Sequence, residues 1–418
     1  MKNRSLFIIC LAGLLLAGTA FAAEPERKLQ LAVVGSVSAD APAYNPYTYC
    51  RPAAVQALLF ALADEPLPAA RVAERLAGSE TSLDDLLRLE ILRRDGDRVF
   101  LNFPLFTEKD QQLISAAAEK YSRRLADRIL AKKDDIHRLL ATYTPADVPR
   151  EKLLFILVGA LSMDLGALDL LDEHGFIVHG PEKPGGNRYV LNAEEVTRFS
   201  LKGIYWGCHS SNIGNTTFMT FGDHHRLPRH AFPDLAWRLG TWSPDDQPEF
   251  YRSELRHVLR NQLAGLQRDI ARILAALAHG PAGAARLAEV TGQAADEIGH
   301  SLALLEKLHY IRQADEQYHL QVPVFTPADQ AMMDGIRQLV LDEVLAWTRA
   351  HYATIRAELK EISPIRHGVD YKETFNMLWH YFFGYTNRYL ATAGFLYDTY
   401  QAPPERQGFL PAVIIAAE

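Results

Sequence analysis

The chain has 418 residues, 48% of them hydrophobic and 23% charged, with a formal net charge of −7. That length and apolar share allow several buried cores and exclude a disordered chain. The negative balance argues against a protein whose affinity comes from phosphate contacts, and three cysteines exclude a disulfide-dense scaffold.

At the N-terminus, Lys2 and Arg4 precede an apolar run from Leu6 to Leu16 and the small-x-small triplet Ala20-Phe21-Ala22. This is the pattern of a secretory signal peptide, residues 1–22, cleaved near Ala22. Cleavage removes two positive charges, leaving 42 Lys plus Arg against 51 Asp plus Glu, a net of −9. The basic flank stays inside, so a periplasmic or secreted mature chain is expected. An extended segment, 23–49, follows. Only Cys50 and Cys208 survive cleavage, and an oxidising compartment makes them candidates for one disulfide.

From 50 to 107 the elements are short. Val55, Leu58, Leu59 and Leu62 mark one face of a helix, and Pro66 and Pro68 then break the chain. A second helix spans Ala69 to Ala77 and closes at Gly78, and Ser79 or Ser82 caps a third running to about Glu90. Asp95-Gly96 reads as the turn of a hairpin whose second strand alternates Val99, Leu101 and Phe103. Residues 108–199 form a helical region with a hairpin. Thr107 and Asp110 box the start of a long helix, and another runs from Glu151 to Asp172. The loop "HGPEKPGGNR" leads to a strand from Tyr189 to Leu191. The apolar stretch "LLFILVGALSMDLGALDLL" contains Asp164 and Asp169, which favours a buried core helix over a membrane span.

The same order then returns. Leu86, Leu89, Leu92, Leu101, Pro104, Phe106, Thr107 and Asp110 recur 219 positions later as Leu305, Leu308, Ile311, Leu320, Pro323, Phe325, Thr326 and Asp329. "AARVAE" from Ala69 matches "AARLAE" from Ala284, and Gly175-Phe176 matches Gly394-Phe395. Similarity on this scale indicates a duplicated domain. The second copy occupies 265–326, and its helical region 327–418 has Pro327 at the first helical position and a last helix from Tyr371 to Ala393. The expected fold is mainly α with small β-hairpins: two tandem halves, each followed by two longer helices, joined by a β-containing connector.

Three helices, a compact helix-turn-helix and a hairpin resemble the winged helix of bacterial transcriptional regulators of the MarR, ArsR and PadR kind. The resemblance covers about 65 residues per copy and rests on pattern alone. In such regulators long helices beside the winged helix build a two-fold dimer. Two copies in one chain therefore imply an internal pseudo-dimer. The resemblance also implies DNA as a partner, which the charges oppose. The recognition-type helices present Glu80, Asp84 and Asp85 in one copy and Asp296 and Glu297 in the other, although Arg93, Arg94 and Arg98 lend the first wing positive charge.

The connector, 200–264, has no counterpart in the second copy. Ile204 to Gly207 and Thr216 to Phe221 read as strands joined through Asn212 and Gly214. Cys208, His209, His224, His225 and His230 are candidate zinc ligands, at a spacing that matches no familiar zinc finger. A Cys50–Cys208 disulfide, a packed aromatic connector with solvated histidines, and a catalytic set of Cys208, His224 or His225 and Asp223 compete with that reading. In the last helix, Phe375, Trp379, Phe382 and Tyr389 share a face, with His380 and Asn387 turned elsewhere. The stripe reads as core, or as a pocket for a flat apolar ligand. The sequence thus points to an exported non-enzymatic binding or assembly protein whose partner is a protein or a small apolar ligand. A DNA-binding regulator and a zinc-dependent enzyme centred on Cys208–His230 are the alternatives.

Overall fold

The computed structural model describes residues 27–37, 42–143, 147–196, 204–223, 263–403 and 407–417. Residues 1–22 and most of the connector lie outside the described residues. The described chain is mainly α-helical with several small sheets.

The first half begins with strand β1 (Leu29–Ser36) and helices α1 (Pro46–Cys50) and α2 (Ala53–Asp64). Strand β2 (Leu67–Pro68) and helices α3 (Ala69–Arg75) and α4 (Leu83–Arg88) follow. Hairpin β3 (Leu92–Asp95)–β4 (Arg98–Leu101) carries β2 on its edge. Strand β5 (Leu105–Phe106) leads into α5 (Glu108–Leu130), α6 (Lys133–Leu140), α7 (Arg150–Glu173), β6 (Glu182–Lys183) and β7 (Asn187–Glu195). Hairpin β8 (Tyr205–Ile213)–β9 (Thr216–Asp223) belongs to the connector.

The second half repeats the series. It runs through α8 (Leu263–Ala278), α9 (Ala284–Thr291), α10 (Ala295–Lys307), hairpin β10 (Ile311–Ala314)–β11 (Gln317–Leu320) and β12 (Val324–Phe325). The helices α11 (Gln330–Glu358), α12 (Ser363–Arg366) and α13 (Tyr371–Thr392) and strand β13 (Phe409–Ile415) complete it.

The stretches that repeat in the sequence also match in backbone. Glu90 and His309, 219 positions apart, both hold a left-handed conformation, with φ of 56° and 59°. Just beyond, Asn102 N–H donates to the Ile91 carbonyl at 3.0 Å and Gln321 N–H to that of Tyr310 at 2.8 Å. Thr107 and Asp110 form a capping box, as do Thr326 and Asp329. Helices α7 and α13 both stop at a glycine with positive φ, Gly175 at 71° and Gly394 at 70°. The following amide closes each turn, Phe176 onto Leu171 at 2.8 Å and Phe395 onto Leu390 at 2.9 Å. Finally, β5 pairs in parallel with β7 and β12 in parallel with β13.

The connector's hairpin has a place in the sheet of the second half. β1 lies antiparallel to β7, and β9 lies antiparallel to β13. The connector's second strand therefore holds in the second half the position that β1 holds in the first, and β8 is the addition. Without β9 that edge of β13 would present unpaired amides and carbonyls. "LQLAVVGS" and "TTFMTFGD" share too few residues to be matched by eye, since strand pairing constrains backbone more than side chain.

The halves interlock reciprocally. Helix α5 of the first packs on α13 of the second, and α11 of the second on α7 of the first. The indole N–H of Trp347 donates to the Tyr121 carbonyl at 3.0 Å, and Ser122 Oγ donates to that of Phe382 at 2.7 Å. Arg128–Glu343 and Lys120–Glu358 ion pairs, at 2.6 and 2.8 Å, close the outside of the same contact. At the ends the exchange continues. Ser363 N–H donates to Asp110 at 3.0 Å, while Tyr143 OH donates to the Val324 carbonyl at 2.9 Å. A continuous core joins these helices with the short helices of the second half, whereas the short helices of the first half enclose a separate core around Leu58, Leu86 and Tyr189.

Candidate functional site

Helix α13 explains where the chemistry-bearing groups collect. It is buried on nearly every side, so each polar residue it carries must find a partner in a neighbouring element. Trp379 Nε1–H donates to the Met163 carbonyl at 2.9 Å, and Asn376 Nδ2 donates to that of Val178 at 2.9 Å. Tyr381 OH donates to Glu194 Oε1 at 2.6 Å, and Tyr385 OH to Ser115 Oγ at 2.8 Å. His380 turns its Nε2 to Asp164 Oδ1 at 4.0 Å. Consecutive residues of one helix thus reach two carboxylates of the other half, Asp164 on α7 and Glu194 on β7.

Asp164 sits on unusual backbone. Over Phe155–Gly166 helix α7 is a π-helix of 12 residues. Such runs are rare and are enriched at functional sites. Ser162 Oγ donates to the Leu157 carbonyl five residues back at 2.6 Å, in keeping with i→i+5 spacing. The matching helix α13 is regular α throughout. Helix α7 has 24 residues and α13 has 22, and both end on the same glycine cap, α7 starting two positions earlier. Gly159 lets β9 close in, because a Cβ there would stand 2.7 Å from the Phe221 ring.

Burial sets the electrostatics of the layer. It pushes the Asp164 carboxyl up to about 8 and, against the hydrogen bond from Tyr381, the Glu194 carboxyl up to about 7. It pushes His380 down to about 4, against the pull of the Asn376 carbonyl on the ring. A separation of 4.0 Å counts as ion-pair range, yet both partners are driven towards their neutral forms. Desolvation prevails here, because 4.0 Å is too long for the hydrogen bond that would offset it. With Asp164 and Glu194 only 4% and 3% exposed, the layer can hold protons but presents no group to a substrate from solvent.

The residues singled out from sequence fare differently. Cys208 and His209 are neighbours on β8. The former is half-buried against the main core and the latter exposed, so one ion would have to reach both faces of a strand. His224, His225 and His230 lie outside the described residues, and among the described residues no group of three or more metal-ligating side chains forms. Cys50 and Cys208 are both free thiols. Cys50 belongs to the separate core of the first half, where burial pushes its thiol up to about 12. Burial, and next the nearby Asp164, push Cys208 well above its usual range, the reverse of an activated nucleophile. Asp223 accepts a hydrogen bond from Tyr400 OH and is fully buried. Phe375, Trp379 and Phe382 are fully buried and in ring contact with Tyr352 and Trp347, which makes the stripe solid core; Tyr389 is half-buried at its margin. One described helix, Arg150–Glu173, is long and apolar enough to cross a membrane, and most of it is buried in the protein.

Glu194, Asp164 and His380 escaped the sequence reading as a set. The available signal was the pair of acids, Asp164 and Asp169, inside the apolar run from Leu153 to Leu171. Comparison of the chain with protein-family models, with curated proteins and with solved structures finds no match.

Proposed function

We propose that the mature protein is an exported, non-enzymatic binding or assembly protein, in which two winged-helix halves act as an internal pair. The observation that carries this reading is the state of α4, the helix that would enter a DNA groove. Its one basic residue, Arg88, is turned back onto the segment that carries α1. Its guanidinium lies 5.1 Å from the Tyr44 ring and 5.8 Å from that of Tyr49, and donates to Tyr49 OH at 3.3 Å. Asp84 remains on the solvent side. A groove-reading helix needs the opposite arrangement, with free cations outward. On the first wing, Arg93 is likewise committed, donating to the His367 carbonyl of the other half at 2.8 Å. The raised Cys208 thiol and the closed carboxylate layer favour a binding role over catalysis.

The test is retention of the purified mature chain on random duplex DNA at low salt. None is expected; retention that falls steeply as salt rises would replace this reading with the regulator. Export is tested with residues 2–40 fused to a reporter active only outside the cytoplasm, where signal is expected. Stoichiometric zinc that disappears on Cys208→Ser would instead favour a metal-dependent enzyme.

A further inference from the structure

A cleft of about 530 Å³ opens between the end of α7 and the turn from α12 into α13, lined by Gly175 from the first half and by Tyr352, Arg356, Val369, Tyr371 and Lys372 from the second. Its volume falls in the range of small-molecule sites, roughly 300–1,000 Å³. The Arg356 guanidinium lies 5.0 Å from the Tyr371 ring, so the planar fork is held over the aromatic face. Among the described residues neither Arg356 nor Lys372 has a carboxylate within ion-pair distance. The one acid on the rim, Asp370, is already employed, its Oδ1 accepting from Lys372 N–H at 2.9 Å as the cap of α13. Two cations against one acid leave a single positive charge in the cleft of a chain whose net charge is −7.

The wall is rigid and apolar. Tyr352 stands edge-to-face with Phe176 and Tyr371 at 5.0 Å each and with Phe375 at 4.7 Å. Val369 is buried, and Ile365 half-buried, beside it. The duplication supplies an internal contrast. The positions 219 residues earlier hold His137 and Leu153 in place of Arg356 and Lys372, so only one half carries the pair.

We propose that this cleft binds a small organic monocarboxylate with a flat or apolar body. Arg356 takes the carboxylate in fork geometry, Lys372 adds a second contact, and the body lies against Tyr352 and Val369. Arg is the residue of choice for such planar two-point recognition. The site goes beyond the assembly role and does not depend on it.

Calorimetric titration of the full mature chain with benzoate, acetate and inorganic phosphate tests the proposal. Benzoate should bind saturably with a Kd of about 1 mM or lower, and acetate and phosphate at least ~10-fold more weakly. Arg356→Gln should weaken benzoate ~10-fold or more and Lys372→Gln several-fold, whereas the exposed Arg349→Gln should change nothing. Three results would overturn the idea: no saturable benzoate binding, benzoate binding that survives both substitutions, or phosphate bound more tightly than benzoate. Both residues are exposed, and matching unfolding midpoints would show that the variants fold.

Discussion

The indole Nε1–H of Trp379, in the second half, donates to the carbonyl oxygen of Met163, in the π-helix of the first, at 2.9 Å. Neither residue is more than marginally exposed, so the bond cannot be exchanged for water. Trp379→Phe leaves that carbonyl without its donor and opens space beside Trp347. A loss of about 2–4 kcal/mol is expected. Because the bond joins the halves, urea unfolding should remain a single transition at lower midpoint, followed by both fluorescence and circular dichroism. Two separated transitions would mean that the halves unfold independently.

The buried Asp164 makes a signed prediction about pH. Its folded value of about 8 lies above the ordinary 3.8. Below pH ~4 both states hold the proton; between ~4 and ~8 only the unfolded chain releases it, so stability falls as pH rises and levels off above ~8. Asp164→Asn removes this dependence. The variant should gain on the parent across that window, by on the order of a few kcal/mol, in denaturation series at pH 5 and pH 8.

His380 works in the opposite sense. Its folded value of about 4 lies below the ordinary 6.5, so its contribution is present above pH ~6.5 and is lost as pH falls through ~4. His380→Gln, which cannot take up a proton, should lose less stability than the parent between pH 6.5 and 4, whatever its stability at neutral pH. Equal acid slopes would refute the assignment.

Two capping boxes in one chain allow a controlled comparison. Asp110 and Asp329 each accept from the N–H and hydroxyl of the threonine three residues before, but Asp110 alone also accepts Ser363 N–H, at 3.0 Å. Asp110→Ala should therefore cost more than Asp329→Ala by about 1–2 kcal/mol, since it also strands a buried amide. Thermal and urea midpoints of the two variants decide it.

The glycine pair at the helix ends gives a matched test. Gly175→Ala and Gly394→Ala both force a side chain into left-handed backbone, at φ of 71° and 70°. Each should destabilise by about 1 kcal/mol, with near-additive effects in the double variant.

The repeat was legible because residues with fixed backbone duties, such as Thr107, Asp110 and Gly175, are spelled alike in both copies. The helix from Glu151 to Asp172 and that from Tyr371 to Ala393 were found within a residue or so of Arg150–Glu173 and Tyr371–Thr392. The π-helix was not, because a segment apolar on every side carries no periodicity to distinguish 3.6 residues per turn from a wider winding. Nor did the strands β1 and β13 show themselves as partners of β7 and β9. The buried carboxylates were hidden for a related reason: Asp164 meets His380 and Glu194 meets Tyr381 only once the halves are packed together, and no local pattern announces a contact over that separation.

Each half packs a long helix against the other, so side-chain contacts as well as chain continuity hold the two together. Chain continuity adds to this by raising the effective concentration of one half around the other. Cut within residues 224–262, the two fragments should therefore stay associated through those contacts, and fragments expressed side by side should find each other.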